Sequence, residues 1–140
     1  MCPVASPAGA SPGFDRAAAA AIVGLPPSAL RRCERMLLDR AGLDLGPTLT
    51  LADLVAFAVL SVSVRCLGGA ADAFAVGHAR VFDALRDRPD IERLDGCVAL
   101  VGRDSAQIVE RYDAESCAAD DTLVIPLHPI LADFRGRVFA

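Results

Sequence analysis

An uninterrupted apolar run near the middle of the chain limits what this sequence can fold into. Residues 54–64 read LVAFAVLSVSV and lie between Asp53 and Arg65. The run is about eleven residues long, roughly half of what a helix needs to cross the ~30 Å hydrocarbon core of a bilayer. We therefore expect a helix buried inside a protein core and no membrane contact.

Local signals predict where this helix begins and ends. Thr50 and Asp53 resemble a capping box, in which each side chain accepts a hydrogen bond from the other residue's backbone N–H. The pair Gly68-Gly69 interrupts helical structure, so the predicted helix covers residues 51–67. A fourth helix is expected at about residues 70–86. Its predicted core stripe consists of Phe74, His78, Val81 and Leu85.

Two short helices joined by a tight corner are predicted before the buried helix. Asp15 is suited to cap an Ala-rich helix in residues 14–23, and Gly24 ends it. The sequence LPPS then turns the chain. Ser28 is a suitable N-cap for a second helix that extends to about Arg40.

The second helix has two different faces. Its apolar residues recur at i, i+3 and i+7: Leu30, Cys33 and Leu37. Its cations gather on another side: Arg31, Arg32 and Arg35. The recognition helix of a helix-turn-helix must likewise bury one stripe and offer the other to DNA.

A small β component is predicted after these helices. The segment AGLDLGPTLT, residues 41–50, has two apolar stretches around a Gly-Pro corner and favours a small β-wing. Residues 97–102 and 105–112 predict a β-hairpin, with core candidates at Val98, Leu100, Ile108 and Val109.

The remainder of the tail predicts an acidic loop, an edge strand and a helix. Residues 113–121 read as the loop, and residues 122–127 as a third strand that Pro126 restricts to a sheet edge. The final helix is expected to start at Pro129 and to be interrupted by Gly136.

The stretch FDRAAAAAIVGLPPSALRRCER, followed by LTLADLVAFAVL, resembles the MerR-like winged helix-turn-helix family. The similarity is greatest to its short phage-, antitoxin- and excisionase-type relatives, and it covers about half of the chain. The matching positions are Leu30, Arg31, Glu34, Arg35 and residues 51–54. Three features depart from the family: Cys33 replaces an aromatic residue, the wing carries no cation, and the long dimerising coiled coil is missing.

The resemblance implies a mainly α fold with a small β component. Residues 14–88 would form a winged helix-turn-helix domain, after a disordered N-terminal arm in residues 1–13. Residues 89–140 would form a small α/β accessory or dimerisation unit.

The resemblance also implies which residues bind double-stranded DNA. Ser28, Arg31, Arg32 and Arg35 would face the DNA, with Arg31 on the backbone. Arg32 would read guanine through its O6 and N7 atoms. Arg16 would add a phosphate contact from the first helix.

The charge distribution is compatible with DNA binding, although the net charge is −4. Residues 1–40 hold five arginines and three acids, a balance of +2. Residues 41–140 hold nine arginines and fifteen acids, a balance of −6. A mildly basic head on an acidic body can bind DNA because the local field decides the attraction to phosphates.

Neither catalysis nor metal binding is predicted. The five dispersed cysteines, without a recognisable export signal, favour a reducing cytoplasm and mostly buried thiols: Cys2, Cys33, Cys66, Cys97 and Cys117. Structural roles are expected for His78 and His128. No set of nucleophile, base and orienting residue can be assembled, so we expect neither an enzyme nor a cofactor.

These patterns favour a sequence-specific, DNA-binding transcription regulator in the cytoplasm. It would act as a homodimer or with a partner protein such as the transcription machinery. The alternative is a protein-interaction module, an antitoxin-like or phage-type adaptor that keeps a helix-turn-helix scaffold. The weak net charge, the bare wing and the unexplained C-terminal half support this alternative.

Overall fold

A computed structural model describes residues 13–88, 90–117 and 121–137. These residues form a mainly helical fold with one small antiparallel sheet, which confirms the predicted fold class at that level. The helices are α1 Arg16–Val23, α2 Pro27–Ala41, α3 Leu51–Leu67, α4 Ala75–Arg86, α5 Ala114–Cys117 and α6 His128–Arg137. The strands are β1 Cys97–Val101, β2 Ala106–Glu110 and β3 Leu123–Pro126. Short 3-10 helices cover Gly68–Phe74, Ile91–Gly96 and Arg111–Asp113.

Helix α3 forms the centre of the core. Every residue from Ala52 to Leu60 is buried, which confirms the prediction of a buried helix for that part of α3. The C-terminal end of the predicted apolar run is not covered, since Val64 is exposed. Helices α1, α2, α4 and α6 and strand β3 all contact it. The ring of Phe57 meets Phe82 of α4 edge to face, with ring centroids 5.0 Å apart.

The helical run Leu51–Arg86 is long and apolar enough to cross a membrane, and 50% of its most apolar window is buried in the fold. Length and apolarity alone are weak evidence of a membrane span, because core helices meet the same test.

The N-terminus of α3 is fixed by a buried carboxylate. The predicted capping box is confirmed: Thr50 N–H donates to Asp53 Oδ2 at 3.0 Å, and Asp53 N–H donates to Thr50 Oγ1 at 3.2 Å. The Asp53 side chain is only 2% exposed, and its Oδ1 accepts a 2.9 Å hydrogen bond from Nε of Arg86. Because each oxygen has a partner, this carboxylate joins the start of α3 to the end of α4.

The sheet has the strand order β2-β1-β3, and both pairings are antiparallel. The predicted hairpin is confirmed, and β3 is an edge strand as Pro126 indicated. Residues pointing to one face join the main core: Ala99, Val101, Ile108 and Ile125. The other face carries Val98, Leu100 and the half-buried Val109, packed with Ala114. The main core thus combines residues from both sides of position 88, where the sequence suggested a boundary between two units.

The predicted β-wing in residues 41–50 does not form. This segment makes a single bridge, in which Phe14 and Leu49 exchange N–H···O bonds of 2.8 and 2.9 Å. Gly46 adopts a left-handed φ of 80°, and Pro47 has no N–H to donate to a strand ladder. The loop therefore pairs with the residues that precede α1 instead of with itself.

Three further boundaries differ from the sequence prediction. The fourth helix begins as the 3-10 helix Gly68–Phe74, and α4 starts only at Ala75. Gly136 does not interrupt α6, which continues to Arg137. The predicted acidic loop contains the short helices ending at Cys117, whereas residues 118–120 and the first twelve residues of the predicted arm lie outside the described ranges.

Helix α4 approaches the β1–β2 turn so closely that it requires glycine at position 77. A Cβ atom at Gly77 would lie 1.8 Å from the carbonyl oxygen of Gly102. The Gly77 N–H donates to the carbonyl of Arg103 at 3.1 Å, and the Arg103 guanidinium lies over the Phe74 ring. The missing side chain at Gly77 therefore allows the hairpin to pack against α4.

We predict that Gly77→Ala lowers the free energy of unfolding by about 3 kcal/mol or more, because backbone rather than a movable side chain blocks the added methyl group. Urea unfolding followed by circular dichroism measures this change. The matched control is Gly136→Ala, whose Cβ meets nothing within 4 Å in α6. The control should be neutral or slightly stabilising, and equal midpoints for the two variants would contradict the close approach.

Candidate nucleic-acid interface

Helices α1 and α2 contact each other and are joined by a corner of three residues, Gly24 to Pro26. Asp15 caps α1 by accepting the Ala18 N–H at 2.7 Å, and Gly24 ends α1 with a left-handed φ of 83°, both as predicted. Arg137 of α6 also donates to the Ile22 carbonyl at 2.7 Å, so the end of α1 has an additional partner. These contacts fix the direction in which the chain enters α2.

The start of α2 differs from the prediction at Ser28. The N-cap is Pro26, no side chain caps the helix, and Pro27 occupies its first turn. Proline suits that position because its φ is already helical and its missing N–H would have had no helical partner. Ser28 therefore lies within the first turn, exposed to solvent, and its predicted capping role is wrong.

Arg16 is committed to contacts inside the protein. Its Nε and Nη2 atoms donate to the two carboxylate oxygens of Glu34 at 2.9 and 2.8 Å. Nη2 also donates to the Gly46 carbonyl at 2.6 Å, and Nη1 donates to the Pro47 carbonyl at 3.0 Å. The hydrogen bond with Glu34 is the main reason why the pKa of the Arg16 guanidinium is raised. One side chain thus holds α1, α2 and the 42–50 loop together.

These contacts argue against the phosphate contact that the resemblance implied for Arg16. A guanidinium has five N–H groups, and the four bonds to Glu34, Gly46 and Pro47 leave one for any other partner. The contacts within the chain therefore give Arg16 a scaffold role, and its phosphate contact stays a prediction.

We predict that Arg16→Met lowers the free energy of unfolding by about 2 kcal/mol, because Glu34 and two loop carbonyls lose a charged donor. The same variant should speed amide hydrogen exchange at Leu49, which is bonded to Phe14 at the end of the loop. Arg31→Met is the control on an exposed arginine and should change stability by less than about 0.5 kcal/mol. Equal losses in both variants would show that the Arg16 contacts contribute nothing specific.

The remaining predicted site residues lie together on the solvent side of α2. Leu30 and Leu37 are fully buried on the inner face. The outer face exposes Ser28, Arg31, Arg32 and Arg35. At 3.6 residues per turn, these four positions fall within an arc of about 100°. No described carboxylate lies within ion-pair distance of Arg31, Arg32 or Arg35.

The charge on this outer face changes along the helix. The first turn contains no acid, and the exposed Asp39 lies in the C-terminal half. The partial positive charge of a helix N-terminus adds to that of the nearby arginines. The N-terminal half of α2 is therefore the part best suited to approach an anion.

A groove on one side of α2 was missed by sequence reasoning. It has a volume of about 620 Å³, and Arg32 and Arg35 of α2 line it together with Arg65 of α3. Only the way in which α2 packs beside the end of α3 brings Arg65 near the other two. No local sequence signal indicates that packing.

The histidines show no arrangement suited to catalysis among the described residues. His78 is fully buried, and neither ring nitrogen has a hydrogen-bond partner among the described atoms. Burial lowers the pKa of His78 to about 4. His128 is largely exposed, with Nδ1 3.8 Å from Asp95.

The cysteines correct one prediction. Cys33 and Cys97 are half-buried, and Cys66 and Cys117 are exposed, so the expectation of mostly buried thiols is wrong. All four are free thiols, and no group of three potential metal ligands occurs in the described part of the chain. Burial raises the pKa of the Cys33 thiol, which lowers its thiolate fraction at neutral pH.

We predict that His78 makes the protein less stable in mild acid. The unfolded histidine has a pKa near 6.5 and the folded one a pKa of about 4, so the unfolded state binds more protons between these values. Stability contributed by the neutral ring is present above about pH 6.5 and is lost as the pH falls towards 4, by at most about 3 kcal/mol.

The measurement compares urea unfolding of the wild type and His78→Leu at pH 7 and pH 4.5. Between pH 7 and pH 4.5, His78→Leu should lose less stability than the wild type does. His128 is exposed, and His128→Leu serves as the control that should lose as much as the wild type. A wild-type pH dependence in His78→Leu would contradict the assignment.

No family model matches this chain, and no curated protein or solved structure matches it significantly. The resemblance to the MerR-like family therefore stays a prediction that rests on the residues quoted for it.

Proposed function

We propose that this protein is a sequence-specific DNA-binding transcription regulator that places α2 in the major groove. The observation that carries the proposal is the outer face of α2. Arg31, Arg32 and Arg35 are exposed there and have no described acidic partner. A cationic helix face held on a rigid support is the main requirement of helix-turn-helix recognition.

The support of α2 makes this proposal physically reasonable. Leu30 and Leu37 anchor its inner face in the core, and the Arg16–Glu34 pair ties it to α1. These contacts limit rotation of the helix about its axis, so the backbone of α2 presents all three arginines on the same side. A helix that is already oriented loses less conformational freedom on binding than a mobile segment.

The arginines have separate roles in this proposal. Arg32 pairs with a guanine through two parallel hydrogen bonds, a geometry that a guanidinium provides and an ammonium does not. Arg31 binds the phosphate backbone as a charge and contributes to affinity for every sequence. The 42–50 loop, which is neither a hairpin nor cationic, adds few phosphate contacts.

Self-association or docking to a partner protein, such as the transcription machinery, completes the proposal. One recognition helix reads a short half-site, and regulators of this kind gain affinity by binding two half-sites about 34 Å apart. The C-terminal part exposes Tyr112 at 82% and Val124 at 48%, which suits it to a protein contact.

We predict different effects of substitutions at Arg31 and Arg32. Arg32→Ala and Arg32→Lys should each lose about 1–3 kcal/mol of discrimination between matched and scrambled DNA, because neither keeps a bidentate pair. Arg31→Ala should weaken binding to all sequences and reduce the slope of log K against log salt concentration by about 1. Arg31→Lys should retain most binding, because it keeps the positive charge. Titrations by fluorescence anisotropy on the gene's own upstream DNA measure both quantities.

Arg80→Ala serves as the control, since it removes an exposed arginine of α4 and should leave DNA binding unchanged. Wild-type DNA binding in all the α2 variants would overturn the proposal. A protein that ignores DNA at every salt concentration and co-purifies with a specific protein would instead support an adaptor. The absence of a wing hairpin in residues 41–50 is the observation that favours this second candidate.

A further inference from the structure

The groove beside α2 has the size and shape of a small-molecule site. Its volume of about 620 Å³ lies within the range of roughly 300–1,000 Å³ that is typical of ligand pockets. Met36 of α2 forms part of one wall, Val64 of α3 part of the other, and Leu25 of the corner also lines the groove. Val64 is 40% exposed, so an apolar side chain faces this space without cover from the described chain.

The charges around the groove favour an anion. Four arginines line it, against the two carboxylates of Asp39 and Asp72, a surplus of two positive charges. Arg40 pairs with Asp72 at 3.4 Å, whereas Arg32, Arg35 and Arg65 have no described ion-pair partner. Helices α1 and α3 also end here, but each C-terminus contributes only about half a negative charge. The local balance therefore stays positive.

We propose that this groove binds a small organic anion with an apolar body, such as an aryl or medium-chain acyl carboxylate. The carboxylate accepts hydrogen bonds from Arg65 and Arg32, and the body packs against Val64, Met36 and Leu25. Guanidinium groups suit the headgroup because they bind carboxylates through two parallel bonds. The apolar lining supplies affinity that an inorganic anion cannot obtain.

A small molecule fits the groove better than a second copy of the chain does. A stable interface between two proteins buries at least about 1,000 Å² of surface, with shape complementarity over a broad patch. The feature here is a local concavity whose exposed apolar side chain is bordered by arginines. Ligand sites typically combine an apolar lining with a few convergent polar groups in this way.

This site has a consequence for regulation, which rests on the proposed function. Arg32 and Arg35 line the groove and also belong to the outer face of α2. A bound anion and a DNA phosphate or base therefore compete for the same guanidinium groups. By thermodynamic linkage, if the ligand lowers the affinity for DNA by some factor, DNA lowers the affinity for the ligand by the same factor.

The experiment uses two fluorescent probes that differ in one charged group. Anilinonaphthalenesulfonate carries an aromatic body and an anionic sulfonate, and phenylnaphthylamine is its neutral analogue. We expect the anionic probe to bind the full chain with a stoichiometry of one and to bind at least about tenfold more tightly than the neutral probe. Decanoate should displace the anionic probe, and its uncharged ester, methyl decanoate, should not.

Variants locate the site without touching the proposed DNA contacts of α2. Arg65→Gln should weaken the anionic probe about tenfold, and Val64→Glu should weaken it at least as much by placing a carboxylate on the wall. Both positions are exposed, so circular dichroism should show wild-type folding. The control Arg80→Gln should bind like the wild type.

Two results would overturn the site: equal affinity for the two probes, or wild-type affinity in both Arg65→Gln and Val64→Glu. Anionic-probe affinity that falls with rising protein concentration would also overturn it, since a second copy of the chain would then fill the groove.

The DNA measurement is separate from the probe measurement. Saturating decanoate should lower the DNA affinity of the wild type at least about fivefold. Decanoate should not change the DNA affinity of Val64→Glu, because this variant does not bind it. Probe binding without any DNA binding would support the groove and overturn the regulator. DNA binding without probe binding would support the regulator and overturn the groove.

Discussion

The burial of α3 is the constraint on which the rest of the structure depends. From Ala52 to Leu60 this helix has no residue on the surface, so other elements must surround it completely. Helices α1, α2, α4 and α6 and strand β3 provide that cover. Asp53 is the polar exception, and its carboxylate accepts hydrogen bonds from the Thr50 backbone N–H and from Nε of Arg86. A buried charge without those partners would destabilise the fold by several kcal/mol.

The position of α2 follows from this arrangement. Leu30 and Leu37 complete the cover of the core, which leaves only the opposite face of α2 free for cations. Glu34 lies between the two faces and pairs with Arg16 of α1. Arg16 is engaged in the scaffold, whereas Arg31, Arg32 and Arg35 of α2 remain exposed without a described acidic partner. Chemically identical side chains therefore acquire different roles from the partners that lie within their reach.

The parts of the fold that the sequence predicted depend on local signals. The capping box at Thr50 and Asp53, the left-handed Gly24 and the β1–β2 hairpin each depend on signals within a few residues. Periodicity likewise identified the buried and exposed faces of α2, because a helix fixes both at once. For these elements, short-range physics and the final structure agree.

The features that sequence reasoning missed depend on contacts between distant segments. Leu49 pairs with Phe14, so the Gly-Pro corner of the 42–50 loop does not close a hairpin. Arg16 meets carbonyls of that loop about thirty residues further along the chain, which no pattern around Arg16 indicates. Gly77 lies inside α4, and the need for glycine there arises from the Gly102 carbonyl of the hairpin turn. In each case, a partner that is remote in sequence outweighs the local preference.

The difference between local signals and distant contacts also separates the two parts of the candidate site, the arginine face of α2 and the groove beside it. The arginine face of α2 could be predicted because one helix carries it, whereas the groove requires α2 and the end of α3 together. Arg32 and Arg35 take part in both, since they lie where the outer face meets the groove wall. If α2 reads DNA, an anion in the groove neutralises charge at the helix surface that approaches phosphate. No conformational change is then needed for the ligand to weaken DNA binding, because the two partners compete for the same two side chains.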